Sequence, residues 1–377
     1  MQMKGSTRAK RHDKHLLPQP SICFCIAKEK IKTKEMKKIR PKVYVYGAVA
    51  LVAIMAVSLY YFFFTVFSTK PTAEYLYIDD DDNIDSVMVK LQPMASAHSL
   101  TGFSTLARHF GYDGEKIHTG RYEITPNTST FTLFRHIKNG MQSPVKLTIP
   151  ESRTIERLAG TLADKLMIDS AEIAEHLADD AFCSKYGHDT ATIMALFIPD
   201  TYEVYWNISL ERLMEKMQKS NQRFWNANRK QKADALGLTP VEISTMASII
   251  DEETANNGEK PMIAGMYYNR LKINMPLQAD PTIKFAHKDF ALRRIYNKLL
   301  TIDSPYNTYK NAGLPPGPIK IASVAGIDAV LNLVNHNYLY MCAKEDFSGT
   351  HNFAVTYQEH LRNAARYAKA LNERGIK

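Results

Sequence analysis

The sequence predicts an α+β protein that begins with a single N-terminal transmembrane helix and continues into mixed α/β domains. Three observations carry this prediction. An uncharged apolar run occupies residues 43–67, strand and helix patterns alternate over residues 120–166, and a well-marked helix begins after Thr239. With 377 residues, 45% of them hydrophobic, the chain is too long for one ordinary domain and rich enough to form buried cores.

The apolar run at residues 43–67 is long enough to cross a bilayer. No charged residue occurs from Val43 to Thr69, and about 20 apolar residues span the hydrocarbon core. Tyrosines near both ends suit the membrane interfaces. A cleaved signal peptide is the alternative, but its apolar core is usually only about 7–15 residues and ends in a small-x-small site. This run ends FFFTVFSTK, so we predict that it is retained as an anchor.

The net charge of +9 is concentrated before this run. Residues 1–42 contain 13 Lys or Arg and three acidic residues, a net +10, which leaves −1 for the rest of the chain. We therefore predict no nucleic-acid binding. The positive-inside rule places residues 1–42 in the cytoplasm and residues 70–377 outside. Met36 directly precedes the basic block KKIRPK, so the sequence leaves open whether the chain starts at Met1 or Met36.

The cysteines and histidines do not follow a metal-binding spacing. The sequence contains neither Cys-x-x-Cys nor His-Glu-x-x-His, so we expect no metal site and no cofactor. Cys183 and Cys342 fall on the predicted outer side. Their separation in sequence leaves open whether they form a disulfide.

Residues 120–166 alternate between strand and helix patterns. A strand pattern at residues 120–124 precedes a helical pattern that ends at Asn139-Gly140. A second strand pattern follows at residues 145–149, then a helical pattern at residues 155–166. Strand, helix, strand and helix in fewer than 50 residues predict one small α+β module.

The helix after Thr239 has a strong start signal. Thr239 can cap it, Pro240 suits its first position, and Glu242 completes a capping box. Apolar residues then recur at steps of three and four as far as Ile250, and the next step of three reaches Glu253. The spacing therefore places a carboxylate on the apolar face of the helix.

Burial on that face predicts an unusual pKa for Glu253. Desolvation disfavours the ionised form, so the pKa should be raised and the side chain should hold a proton near neutral pH, as a general acid requires. Asp251 and Glu252 are predicted to turn away from this face. A purely structural alternative is that Glu253 lies at a frayed helix end or pairs with Arg270, because three consecutive acids usually form a solvated face.

Several sequence blocks resemble the signature of the MltG/YceG-like endolytic lytic transglycosylases. Residues 245–323 contain TMASIIDEET, NRL, LQADPT, YNTY and GLPPGPI in the family's order. LTIPES, IPDTYEVY and HNF elsewhere extend the resemblance over nearly all of residues 73–377. Asp251 stands where the family's Glu-x-Glu-Thr pattern begins with Glu, and Glu253 matches its second, catalytic acid.

The resemblance implies a bacterial enzyme that cuts peptidoglycan within its glycan strands. It implies cleavage of the β-1,4 bond between N-acetylmuramic acid and N-acetylglucosamine, leaving a 1,6-anhydro end, to terminate or trim nascent strands. Glu253 would be the catalytic acid/base. The matching blocks also supply side chains that hydrogen-bond sugars, with residues 313–317 as a rigid wall of the cleft. The expected substrate-binding residues are Asn269, Gln278, Asp280, Thr282, Asn307 and Tyr309.

The resemblance also implies a domain layout and partners. An α+β region at residues 73–166 would contain a LysM-like glycan-binding subdomain at about residues 120–166, and residues 167–377 would form the catalytic domain. The catalytic domain would face the outside of the inner membrane, where the expected partners are glycan strands and cell-wall synthases.

Two other functions remain as alternatives. A hydrolytic muramidase needs a positioned water and usually a second carboxylate about 5–9.5 Å from the acid, and the sequence offers no obvious second one. A non-catalytic glycan-binding scaffold of the division machinery would tolerate the loss of Glu253.

Overall fold

A computed structural model of the chain describes residues 41–292 and 294–375. The chain divides after Val57 into two compact units. In the first, helix α1 (Pro41–Leu59) contains most of a span, Lys42–Phe64, that is long and apolar enough to cross a membrane. The predicted apolar helix is therefore present. Most of the predicted basic N-terminus, including Met36, lies outside the described residues.

The second unit, Ser58–Lys377, opens with a short π-helical turn (Tyr60–Phe64) and a first core. Strands β1 and β2 pair antiparallel, with Glu74 opposite Ile124. Helices α2 to α4 surround them, and the aromatic side chains of Phe67, Phe103 and Tyr122 fill the interior. The elements of this core are β1 (Glu74–Ile78), α2 (Ile84–Leu91), α3 (Ala97–His109), β2 (Gly120–Ile124) and α4 (Thr130–Lys138).

A second core forms around another antiparallel pair of strands. Val145 on strand β3 lies opposite Val204 on strand β4. Leucines from several helices pack beneath them, among them Leu158 and Leu213. The elements are β3 (Val145–Thr148), α5 (Ile155–Ala163), α6 (Ser170–Leu177), α7 (Asp180–Ser184), β4 (Thr201–Val204) and α8 (Leu210–Phe224).

The module predicted at residues 120–166 is therefore not one compact unit. Its two strand patterns are real, but β2 pairs with β1 and β3 pairs with β4. Alternation of apolar residues shows which face of a strand is buried but not which strand lies beside it. Residues 120–138 consequently belong to the first core, and residues 145–163 to the second.

The third core carries the helix that ends at Glu253. Helix α10 lies among α11, α12 and α13, and a C-terminal hairpin with its following helix packs nearby. The elements are α9 (Ala227–Leu236), α10 (Pro240–Glu253), α11 (Lys260–Lys272), α12 (Asp280–Ala286), α13 (Val324–Leu331), β5 (Tyr340–Ala343), β6 (His351–Ala354) and α14 (Tyr357–Glu373).

Helix α10 begins as the sequence predicts and is more deeply buried than expected. The Thr239 hydroxyl accepts from the Glu242 N–H at 3.2 Å, and the Glu242 carboxylate accepts from the Thr239 N–H at 2.7 Å, which completes the capping box. Every residue from Ile243 to Ile250 is buried. The helix is thus surrounded by protein on all sides, and its polar C-terminal end opens onto a cavity.

Candidate active site

A cavity of about 320 Å³ lies at the C-terminal end of α10. Glu253 forms part of its floor, together with Tyr267 and Arg270 from α11. Residues 277–280 and Tyr309 contribute a second side, and the hairpin β5–β6 with the start of α14 contributes a third. The cavity thus combines one carboxyl group at a helix end with a polar and aromatic lining.

The Glu253 carboxyl group is perturbed as the sequence predicts. Its Oε1 accepts a hydrogen bond from the Tyr267 hydroxyl at 2.7 Å. Although the residue as a whole keeps some exposed surface, burial is the largest effect and raises the pKa of Glu253 to about 7. The nearby charge of Asp280 adds to the rise, while Tyr267 and more distant cations oppose it. Glu253 can therefore hold or release a proton near neutral pH.

Arg270 does not form the ion pair considered as a structural alternative for Glu253. Its guanidinium donates to the carbonyl oxygens of Leu339 at 2.6 Å, Leu277 at 2.7 Å and Pro276 at 3.2 Å. These bonds connect α11 to two segments of the cavity wall. Arg270 thus shapes the cavity, and Tyr267 provides the direct contact to Glu253.

The two acids before Glu253 diverge from it, but neither lies on a solvated face. The Asp251 side chain is only 2% exposed and pairs with Lys260 at 2.7 Å. It also accepts from the N–H and hydroxyl of Ser323, the N-cap of α13, at 2.7 and 2.8 Å. Glu252 receives two bonds from Arg153, at 2.9 and 2.8 Å. The structural alternative, in which three consecutive acids form a solvated face, is therefore wrong.

Three of the six predicted substrate-binding residues line the cavity with Glu253. They are Gln278, Asp280 and Tyr309. The Tyr309 hydroxyl donates to Asp280 Oδ1 at 2.6 Å, so the two side chains present a joined polar edge. Gln278 adopts a left-handed backbone (φ 48°), a conformation that non-glycine residues rarely adopt.

The other three predicted binding residues do not line the cavity, and their side chains bond to backbone carbonyls of nearby segments. The Asn269 amide donates to the carbonyl oxygens of His336 and Tyr338, at 2.6 and 3.1 Å. Thr282 and Asn307 have no exposed surface. The Thr282 hydroxyl bonds the carbonyl of residue 279 at 2.7 Å, and the Asn307 amide bonds those of residues 300 and 302. Their polar groups stabilise loops, so the expectation that they face the cleft is wrong.

The segment at residues 313–317 also has a different position from the one expected. A Cβ on Gly317 would overlap the backbone of Ala191, so the glycine permits close packing against the second core. The backbone of residue 319 then donates to the buried Ser248 hydroxyl at 3.0 Å. This segment braces α10 from outside the Glu253 cavity.

Sequence reasoning missed several residues that line the cavity. Tyr267 lies 14 positions after Glu253, and only the packing of α11 on α10 brings them together. His351 lines the cavity, and its Nδ1 lies 2.9 Å from the buried Glu259 carboxylate. Tyr340, Tyr357 and His360 contribute further rings. No local periodicity marks these positions, because they come from separate elements.

Cys183 and Cys342 are free thiols. Cys342 lines the cavity on β5, whereas Cys183 is buried in the second core. The disulfide that the sequence left open is therefore absent. Burial raises the pKa of both thiols, so neither is prone to ionise at neutral pH.

The model of the YceG-like family matches residues 76–366, well over half of the chain and including every element around the cavity up to α14. The chain belongs to the YceG-like family. The resemblance of its sequence blocks to that family is thereby confirmed.

Individual YceG-like relatives support this assignment. An endolytic murein transglycosylase of Bacillus subtilis (strain 168) is 30% identical over 295 residues, covering 73% of this chain and 79% of the relative. One from Streptococcus pneumoniae is 27% identical over 330 residues, covering 78% of this chain and 58% of that relative. The crystal structure of a putative YceG-like protein from Listeria monocytogenes is 26% identical, with a TM-score of 0.51, and the match covers 78% of this chain and 99% of the other.

Proposed function

We propose that this YceG-like chain is an endolytic peptidoglycan lytic transglycosylase with Glu253 as its catalytic acid/base. The observation that carries the proposal is a carboxyl group with a pKa of about 7 in a polar cavity. Its relatives from B. subtilis and S. pneumoniae are named endolytic murein transglycosylases. The proposed substrate bond is the β-1,4 linkage between N-acetylmuramic acid and N-acetylglucosamine.

The proposed reaction uses one carboxyl group twice. Protonated Glu253 donates to the glycosidic oxygen as that bond breaks and positive charge develops on the muramic acid ring. The Glu253 carboxylate then takes the proton of the C6 hydroxyl, whose oxygen bonds to C1 and closes a 1,6-anhydro ring. The proton balance returns Glu253 to its starting form. Tyr267 supports the ionised form between the two steps by hydrogen bonding to Oε1.

A hydrolytic muramidase is the second candidate, and Asp280 is the observation in its favour. Asp280 lines the same cavity, and its charge contributes to the raised pKa of Glu253. A second carboxylate of this kind can activate water, as in many glycosidases. The products separate the two reactions, since hydrolysis leaves reducing ends and intramolecular attack leaves anhydro ends that are lighter by one water.

We also propose a location for the chain and for its glycan-binding subdomain. The span Lys42–Phe64 would anchor it in the inner membrane with the cavity on the outer side, near cell-wall synthases. The LysM-like subdomain expected at residues 120–166 is better assigned to the first core, residues 74–138. There two strands and two intervening helices form one packed unit.

The test is digestion of purified glycan strands by the full-length chain in detergent, with product masses recorded. Glu253→Gln keeps the side-chain volume but removes the proton donor, so anhydro products should fall by about 10²–10⁴-fold or more. Glu252→Gln is the neighbouring control, since its amide oxygen can still accept from Arg153, and a thermal melt checks both folds. Reducing ends would favour the muramidase. Strand binding without any cleavage by the wild-type chain would favour the scaffold.

A further inference from the structure

Three aromatic rings gather at one side of the Glu253 cavity. Tyr340 comes from β5, and Tyr357 and His360 come from the first turn of α14. The Tyr340 and His360 rings stack with centroids 5.5 Å apart and planes 25° apart. The Tyr357 ring lies 5.7 Å from Tyr340 and 6.0 Å from His360. We call these three residues the aromatic platform.

The aromatic platform is continuous with the cavity and partly open to solvent. All three rings line the same cavity as Glu253. Tyr357 is 59% exposed although it lies beside the Tyr340 and His360 rings. Single exposed apolar residues are ordinary, but a cluster of rings at the edge of a polar cavity is typical of a binding surface. The cluster is therefore suited to bind a ligand that has an apolar face.

A pyranose ring has this chemistry. Its equatorial hydroxyls project around the edge and leave a face of C–H groups, which packs on the electron-rich face of an aromatic ring. The same cavity also offers the hydrogen-bonding groups of Gln278 and the Tyr309–Asp280 pair to such hydroxyls. Aromatic and polar groups thus line one cavity, as the two kinds of surface of a sugar require.

His360 contributes as a ring and not as a charge. Burial and the nearby Arg270 lower the pKa of His360, so the imidazole is neutral at physiological pH. Its buried Nδ1 has no hydrogen-bond partner within residues 41–292 and 294–375. Nδ1 therefore makes no hydrogen bond within the described residues, whereas the His360 ring stacks on the Tyr340 ring.

We propose that Tyr340, Tyr357 and His360 form a sugar-binding subsite, stacking against a pyranose ring next to the bond that Glu253 cleaves. The inference rests on the proposed function, and it adds the location of a subsite that binds the glycan strand. The subsite would recognise the sugar backbone and not the peptide stems.

The test measures strand binding separately from turnover. Full-length Glu253→Gln chain in detergent would bind peptide-free glycan strands of defined length, alone and combined with Tyr357→Ala. Loss of an aromatic side chain that stacks on a nucleobase costs about 5- to 150-fold in affinity, and we expect a loss of about ten-fold for a pyranose ring. Tyr357→Phe keeps the ring and should bind nearly as tightly as the parent.

A second tyrosine provides a matched control. Tyr296 is also 59% exposed and lies outside the cavity lining, so Tyr296→Ala should leave binding unchanged. Equal binding by the Tyr357→Ala and parent chains would overturn the subsite, as would an equal loss in Tyr296→Ala. A loss seen only with strands that carry peptide stems would also overturn it, because it would assign the rings to the peptide. Failure of the proposed function is distinguishable, since wild-type chain would then bind strands but release no cleaved product.

Discussion

Tyr267→Phe removes one hydroxyl group and tests how Glu253 reaches its working pKa. That hydroxyl donates to Glu253 Oε1 at 2.7 Å and partly offsets the rise caused by burial. A hydrogen bond to a charged acceptor is worth about 1.5–3 kcal/mol, and one pKa unit corresponds to about 1.4 kcal/mol. Loss of the bond should therefore raise the pKa of Glu253 by about 1–2 units from its value of about 7.

Two kinetic consequences follow for Tyr267→Phe. Because the acid stays protonated to higher pH, the alkaline limb of kcat/KM should move upward by about 1–2 pH units. Because the carboxylate that forms in the transition state loses its donor, the maximal rate should fall by about 10- to 100-fold. A larger rate loss with no displacement of the limb would indicate damage to the cavity instead.

The assay is the rate of anhydro-end formation between about pH 5 and pH 9, with a thermal melt of each variant. Tyr268→Phe is the matched control, because the Tyr268 hydroxyl donates to the Leu236 carbonyl at 2.9 Å, away from the cavity. An alkaline limb that stays in place in Tyr267→Phe, or that moves equally in Tyr268→Phe, would refute the role given to Tyr267.

Three further predictions concern stability and topology. The pKa of Glu253 is about 7 in the fold against 4.5 in the unfolded chain, so wild-type stability should fall by on the order of 3 kcal/mol as pH rises through that window. Glu253→Gln should lose this dependence and melt higher than wild type at about pH 8; parallel melting curves would contradict this. Asp251→Asn leaves the buried Lys260 without its ion pair and should destabilise the fold by about 3–5 kcal/mol in denaturant titrations, whereas a loss below about 1 kcal/mol would count against it. A reporter fused after residue 377 should be active only outside the cytoplasm, and cytoplasmic activity or a mature N-terminus after residue 67 would exclude the anchor.

The sequence predicted those features that depend on local chemistry. The helix start at Thr239 follows from a capping box and a proline, which act within one turn. The position of Glu253 follows from helical spacing, and its raised pKa follows from burial at that position. These steps required no knowledge of which elements pack together.

Features that depend on pairing between distant segments were not predictable in the same way. The strand at residues 120–124 pairs with one about 45 residues earlier, and the strand at residues 145–148 pairs with one more than 50 residues later. Both alternate as half-buried strands do, whichever partner they take. Asn269 and Asn307 likewise have the chemistry to bind sugars, and only the fold directs their amides to backbone carbonyls.

The geometry at the end of α10 explains why three adjacent acidic side chains have three different sets of contacts. Successive residues on a helix are turned by about 100°, so their side chains meet different neighbours. Asp251 meets Lys260 and the start of α13, and Glu252 meets Arg153 from the second core. Both carboxylates are thus paired with cations.

Glu253 alone meets a neutral donor, the Tyr267 hydroxyl, and it shares its cavity with the negative Asp280. Burial therefore raises its pKa without a direct cation to reverse the effect. Asp251 fixes the helix end to α11 through Lys260 and to α13 through Ser323, and Glu252 fixes it to the second core through Arg153, so the neutral acid is held in place by its charged neighbours. A substitution at Asp251 should consequently act by loosening this helix end, so its loss of activity should follow the loss of folded protein measured in the same samples.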